Sequence, residues 1–144
     1  GLIYGRQLLL FCMALSLMLY DMISGSTTET PSVPPPIEAS NVHFFEWQAW
    51  QSWDFVYRFD APPDVCERFA TDLMKRQSRD GESFVPSKEK FTKFPLGFGS
   101  NRKWTAWFDV NSVKNGVLLT YKKDWGPYAV VDQDRGRLYY YNGN

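Results

Sequence analysis

Few side chains in this chain have the type and spacing of a catalytic or metal site. His43 is the only histidine, so any site that needs two histidines is excluded. No acid stands at a spacing that would activate His43, and a packing or solvent-facing role is therefore favoured over catalysis. Asp132, Asp134 and Gly136 match part of a calcium loop, but the third oxygen ligand and the later glutamate are absent. A hairpin turn is the interpretation favoured for these residues.

Motifs for nucleophilic catalysis and for phosphate binding are also absent from the sequence. No serine stands in a G-x-S-x-G motif, and no glycine-rich phosphate loop occurs. Gly97 and Gly99 do not lie between a strand and a helix, as dinucleotide binding requires. We therefore predict that the protein is not an enzyme and has no catalytic, cofactor-binding or metal-binding residues.

An aromatic run, FFEWQAWQSW, is the first candidate for a binding surface. Phe44, Trp47, Trp50 and Trp53 recur every three residues. On one short helix or extended turn this spacing would form a stripe. Tryptophan is enriched at interface anchors, although part of the run must lie in the core. The hypothesis is that Phe44, Trp47 and Trp50 contact a partner.

A basic segment is the second candidate. Between Lys75 and Lys103 the chain has eight basic residues and three acids. A solvated loop would explain this composition, and the alternative is a patch for anionic headgroups or an acidic subunit. Lys88, Lys90 and Lys93 are the candidate contacts. The whole chain has sixteen basic and sixteen acidic residues, which argues against nucleic acid as a partner.

The elements that would position these residues follow from hydrophobic periodicity. Alternation predicts a strand over residues 53–59, and an apolar stripe at helical spacing predicts a helix over about 63–77. Four more strands are predicted, separated by turn residues, at 103–109, 117–123, 128–132 and 137–141. The predicted fold class is α+β, with a small domain, residues 42–144, in which an antiparallel β-meander packs against one α-helix.

Residues 1–24 are strongly apolar. The chain has no charge from Leu8 to Tyr20, a length that fits a cleaved signal peptide, but apolar residues extend the segment on both sides. Arg6 precedes the segment, and no basic residue follows until Arg58. We favour a retained transmembrane anchor that crosses a bacterial cytoplasmic membrane once, with the N-terminus inside and the domain in the periplasm or outside. A signal segment, cleaved or uncleaved, is the alternative.

Residues 25–41 contain four prolines and few large apolar side chains. Proline favours extended, polyproline-like conformations, so this segment is predicted to be a linker between the transmembrane helix and the domain.

The stretches KWTAWFDVNSVKNG and VVDQDRGRLYYY resemble the C-terminal half of small, uncharacterised bacterial envelope proteins that have a hydrophobic N-terminal segment and one α+β domain. The resemblance implies a fold type and an envelope setting, and it implies no activity.

The function predicted from these features is that of a non-catalytic, single-pass accessory or structural subunit of a larger membrane protein complex, such as a photosynthetic or respiratory assembly. Its expected partners are the lipid bilayer and other subunits of the complex, with no nucleic acid. The alternative is a free envelope module, secreted or anchored, that binds a sugar or a peptide.

Overall fold

The structure, a computed structural model, describes residues 2–24, 26–28, 30–77, 85–94, 106–122 and 125–143. Within these ranges, two α-helices and seven strands follow one another in the order α1 Leu2–Ser24, β1 Ser26–Thr28, β2 Ser40–Gln48, β3 Trp53–Asp60, α2 Pro63–Gln77, β4 Ser87–Lys90, β5 Gly116–Lys122, β6 Trp125–Asp132 and β7 Arg137–Gly143. The strands form one antiparallel sheet in the order β1-β2-β3-β7-β6-β5-β4. The fold is therefore α+β.

Helix α1 does not support the predicted membrane anchor. No helix in the described part of the chain is long and apolar enough to cross a membrane. Arg6 and Asp21 both lie within α1, and the uncharged run between them, residues 7–20, rises only ~21 Å at ~1.5 Å per residue, against a hydrocarbon core of ~30 Å. The transmembrane helix in the predicted fold class is wrong. The predicted location, single-pass in a bacterial cytoplasmic membrane with a periplasmic domain, is wrong for the same reason.

The sheet buries both of its faces along its central strands. Phe55, Tyr57 and Phe59 of β3 belong to the core on one face, which we call the α2 face. Val56 of the same strand belongs to a second core on the opposite face, which we call the loop face. Because successive side chains of a strand point to opposite sides, this division follows directly from the alternation that predicted the strand. The predicted strand 53–59 is confirmed by β3.

Helix α2 covers one face of the sheet. The predicted helix 63–77 is confirmed, because α2 runs from Pro63 to Gln77. Its buried side chains recur at intervals of three and four residues, which places them on one side of the helix: Val65, Cys66, Ala70, Leu73 and Met74. This side packs on β5, β6 and β7, and its charged side is left to solvent.

A non-strand segment covers the loop face. Phe91, Phe94, Phe108, Val110 and Val113 are buried there against the sheet. Phe108 lies with its ring centroid 5.5 Å from that of Tyr139, edge to face. The predicted strand 103–109 is therefore wrong at residues 106–109, which form a turn before a short 3-10 helix, Val110–Ser112. Residues 103–105 lie outside the described part of the chain.

The sheet is not a simple meander. Strands β5, β6 and β7 follow one another through hairpins, and their observed ranges confirm the predicted strands 117–123, 128–132 and 137–141 to within a few residues. Strand β7 then pairs with β3, from Asp54 opposite Gly143 to Asp60 opposite Arg137. This pairing arises because α2 carries the chain across the sheet to the far edge, where β4 begins.

Part of the segment predicted as a linker belongs to the folded unit. Strand β1 pairs with β2, and β2 begins at Ser40. Val33 and Ala39 pack against the core on the α2 face. The Tyr57 hydroxyl donates a hydrogen bond to the carbonyl oxygen of Val33, which holds the proline-containing segment against the sheet. The sheet therefore extends further toward the N-terminus than the predicted domain start at residue 42.

The two cysteines are expected to differ sharply in reactivity. Burial raises the pKa of the Cys66 thiol to about 12, whereas Cys12 is exposed. Only thiolates react with iodoacetamide, so the folded chain at pH 8 should gain one label, at Cys12. Peptide mass spectrometry would locate the label, and the chain in denaturant, where both cysteines should react, is the control. Labelling of Cys66 in the folded chain would show that α2 does not seal this part of the core.

Candidate functional site

The tip of the β2–β3 hairpin is the first part of the candidate site. Strand β2 ends at Gln48 and strand β3 begins at Trp53, so residues 49–52 form the turn between them. In this turn the amide of Ala49 donates a hydrogen bond to the carbonyl oxygen of Ser52 at 2.8 Å. Trp50 lies in this turn and is 72% exposed. An indole is usually mostly buried in a folded protein, so this exposure requires an explanation.

The aromatic run does not form one stripe. Phe44 pairs opposite Tyr57 on the α2 face, whereas Trp47 pairs opposite Asp54 and faces the other side. The rings of Phe44 and Tyr57 have centroids 4.9 Å apart, so Phe44 is part of the core packing. The three-residue spacing predicted a single surface because it assumed helical or turn geometry. On a strand the period is two, and positions three apart face opposite sides.

Trp47 and Trp53 lie at the base of the turn. Trp53 pairs opposite Gln48, and Trp47 pairs opposite Asp54, one step further from the tip. Both tryptophans are half-buried. The tip therefore has one exposed indole, with a partly buried tryptophan on each face of the sheet at its base. Of the three aromatic residues predicted to contact a partner, Trp50 alone is mostly exposed.

The basic candidates lie at the far edge of the sheet. Lys88 and Lys90 are exposed residues of β4, and Lys93 is exposed in the segment that follows it. Lys88 Nζ lies 2.7 Å from Glu67 Oε1 of α2. Four strands lie between β2 and β4. At ~4.8 Å for each step from one strand to the next, β2 and β4 are roughly 24 Å apart. The structure therefore does not bring the lysines and the hairpin tip together.

A polar cluster on the loop face was not anticipated from the sequence. Arg137 donates to Asp60 through Nε at 2.5 Å and through Nη2 at 3.2 Å. This hydrogen bonding from the guanidinium holds the pKa of Asp60 below its usual value. Asn41 adds a third donor to Asp60 at 3.2 Å. The carboxylate is thus shared between strand β7 and the start of β2.

The same cluster ties the covering segment to the sheet. Arg58 Nη1 donates to the carbonyl oxygen of Trp107 at 2.5 Å and lies 3.3 Å from Asp109 Oδ1. Tyr139 donates to the same carboxylate oxygen of Asp109 at 2.8 Å. The amides of Ser112 and Val113 donate within their own segment, to Asp109 and Val110. The side chains of Arg58 and Tyr139 add polar links from that segment to the sheet. The cluster is arranged as a structural clamp.

His43 completes the clamp by stacking on Trp107, with ring centroids 5.3 Å apart. Burial lowers the pKa of His43, and the nearby Arg58 and Arg137 lower it further. Of the two roles predicted for His43, packing or solvent-facing, the stacked position is a packing contact. The signal that could have identified the cluster is the alternation of charged and polar residues at every second position of two strands, Arg58 and Asp60 in β3 and Arg137 and Tyr139 in β7.

The β6–β7 turn borders this cluster. Residues 133–136 form the predicted hairpin turn, and Asp132 Oδ1 accepts the amide hydrogens of Asp134 at 3.0 Å and Arg135 at 3.2 Å. An open hollow of about 430 Å³ lies between this turn and the β3–α2 junction. Glu38 and Pro62 are among the residues that line it. Asp132 serves as a cap for the turn.

The chain matches no protein family, no curated protein and no solved structure. The resemblance to small bacterial envelope proteins remains a prediction, and the function is argued from the residues described above.

Proposed function

We propose that this chain is a non-catalytic accessory subunit that binds a partner protein through the tip of its β2–β3 hairpin. The observation that carries the proposal is the 72% exposure of Trp50 on a turn between two paired strands. A tryptophan there contributes nothing to the core, and its exposed apolar surface is unfavourable in water.

The support beneath Trp50 suits a binding anchor. Strand β3 is buried over most of its length and pairs on both sides, with β2 and with β7. The turn is therefore attached on one side to a largely buried strand that is paired along both edges. A ring presented on such a scaffold loses little conformational freedom on binding, and tryptophan is enriched among the residues that dominate interface energies.

The pairing within the polar cluster supports the non-catalytic part of the proposal. Asp60 is bonded to Arg137, and Asp109 is bonded to Tyr139 and Arg58. Both carboxylates are held by hydrogen bonds from other side chains of the fold, as expected of a clamp. A general acid or base would instead need a hydrogen-bonding position open to a substrate. A module that binds a sugar or a peptide, the alternative from the sequence, stays a prediction.

Replacing Trp50 with alanine should release the chain from its complex without unfolding it. A central tryptophan anchor typically contributes ~2 kcal/mol or more, so the affinity should fall at least ~30-fold. The measurement is the native mass of the complex that contains the chain, together with the melting temperature of the variant.

Ile37→Ala is the matched control, because Ile37 is also apolar and is 97% exposed at a different place on the surface. Ile37→Ala should leave both the native mass and the melting temperature unchanged. If the unmodified chain has the mass of a monomer, or if Trp50→Ala retains the mass of the complex, the hairpin tip is not the binding site. Release by a simple sugar would instead favour the ligand-binding alternative.

A further inference from the structure

Strand β4 has a neighbour on only one side within the described part of the chain. It lies at the end of the sheet order and pairs with β5, from Ser87 opposite Thr120 to Lys90 opposite Val117. All four of its residues are exposed. Its other side therefore presents a short length of extended backbone, the type of edge to which a further strand can add.

The direction of the backbone groups along β4 follows from one hydrogen bond. The amide of Phe91 donates to the carbonyl oxygen of Gly116 in β5 at 2.8 Å. In an antiparallel pair, alternate residues direct their N–H and C=O groups toward the neighbouring strand. Glu89 therefore also faces β5, while Lys88 and Lys90 direct their N–H and C=O groups away from the sheet. The open edge offers two donors and two acceptors.

The side chains along the edge carry a defined charge pattern. Lys88 and Lys90 project to the α2 face, since their partners Leu119 and Val117 belong to the core on that face. Lys88 reaches Glu67 of α2 at 2.7 Å, with its side chain still 55% exposed. Glu89, between the two lysines, faces the opposite side. The edge is therefore basic on one face and acidic on the other.

This pattern disfavours a second copy of the chain as the added strand. Only Lys88 and Lys90 direct backbone groups outward, so in an antiparallel pair of two β4 strands a lysine must lie opposite a lysine. The register that places Lys88 opposite Lys90 also places Glu89 opposite Glu89. A shift in one direction places Lys88 opposite Lys88, and a shift in the other places Lys90 opposite Lys90. Like charges directly opposite destabilise a strand pair. Edge lysines are a common protection against such self-association.

We propose that β4 binds an extended segment of a partner protein that carries acidic side chains opposite Lys88 and Lys90. The segment adds to the sheet as an eighth strand, with backbone hydrogen bonds to the outward groups of the two lysines. Acidic side chains opposite Lys88 and Lys90 would be attracted to the two lysines, whereas the lysines of a second β4 strand are repelled. The edge would therefore select an acidic segment over a second copy of the chain. The inference rests on the proposed function only in taking the partner to be a protein.

A synthetic peptide tests this edge directly. The probe is a seven-residue peptide with glutamate at alternate positions and valine or threonine between, added to the full chain. The peptide should slow hydrogen exchange at the amides of Lys88 and Lys90 at least ~10-fold, because hydrogen-bonded amides exchange slowly. The amide of Glu89, which faces β5, should change little. Exchange would be followed residue by residue with NMR.

Charge variants separate strand addition from general attraction. The double variant Lys88→Glu/Lys90→Glu should lose binding to the glutamate peptide and bind the same peptide with lysine in place of glutamate. Lys93→Glu, a single charge reversal outside the strand, should weaken binding less than ~3-fold, as for a screened surface charge.

The outcomes are separable from those of the hairpin tip. Trp50→Ala should leave binding of the peptide to β4 unchanged. The proposal for the hairpin tip and the proposal for the β4 edge can therefore be tested independently. Protection of Lys88 and Lys90 with the charge reversal described supports the proposal. The proposal is overturned if the peptide does not bind, or if it binds and leaves these two amides unprotected. It is also overturned if Lys93→Glu loses as much affinity for the peptide as the double variant does, or if the chain dimerises through β4.

Discussion

Replacing Phe59 with alanine is expected to lower the free energy of unfolding by about 3–5 kcal/mol. The Phe59 ring is completely buried on the α2 face. Its ring centroid lies 5.1 Å from that of Phe69 and 5.9 Å from that of Tyr57, both edge to face. Removing the ring would leave a cavity between β3 and α2 that neither neighbour can fill without leaving its own contact. For a domain of ordinary stability this loss is a large fraction of the total.

Phe69→Ala is the matched comparison. The helical stripe predicts a cost on the order of 3 kcal/mol for Phe69 if its ring is buried. In the structure Phe69 is only partly buried and packs at the margin of the core. We therefore expect a smaller loss, about 2 kcal/mol, because the ring already has one side in water. Urea unfolding of both variants would measure the difference. Equal losses would show that the margin of α2 is as tightly packed as its centre.

Replacing Gly136 with alanine is expected to cost about 2–4 kcal/mol of unfolding free energy. Gly136 has a φ of +67°, a conformation that side chains with a Cβ rarely adopt. A Cβ at this position would also lie 2.7 Å from the carbonyl oxygen of Ala61. The two segments are held together there, since the amide of Ala61 donates to the carbonyl oxygen of Gly136 at 3.0 Å. The turn and the β3–α2 junction would have to separate.

Gly136→Asn distinguishes the two causes of this cost. Asparagine tolerates a positive φ better than alanine does, but its Cβ would meet the same oxygen of Ala61. The close approach therefore predicts that asparagine does not restore stability. Gly5→Ala is the control, because a Cβ at Gly5 would have nothing within 4 Å and α1 should tolerate it. Thermal unfolding would compare the three variants. Full recovery with asparagine would mean that the backbone conformation alone matters.

The failure of the aromatic stripe shows why spacing alone did not locate the candidate site. Phe44, Trp47, Trp50 and Trp53 repeat every three residues, but a strand, a turn and a second strand divide them. Phe44 and Trp47 consequently face opposite sides of the sheet. Only the position of the turn decides that Trp50 is exposed. That position depends on the pairing of β2 with β3, which the spacing of the aromatic residues does not report.

The elements confirmed from the sequence are those whose pattern is local. The stripe of α2 marks the one side of the helix that is buried, and the alternation of β3 separates the residues of its two faces, both of which are buried. The glycine at 136 likewise marks a turn through its own backbone freedom. Such features are decided by a few neighbouring residues, so the chain specifies them without reference to the rest of the fold.

The tertiary structure alone decided the placement of β7 beside β3, the clamp on the loop face and the separation of the two proposed binding surfaces. Arg58 meets Asp109 fifty-one positions away, and Asp60 meets Arg137 seventy-seven positions away. Lys88 and Lys90 turn their backbone groups outward only because β4 lies at the end of the strand order. These contacts depend on which strands pair and in which register. Pairing is selected by the burial of the whole sheet between α2 and the covering segment, a sum over many residues that no local spacing contains.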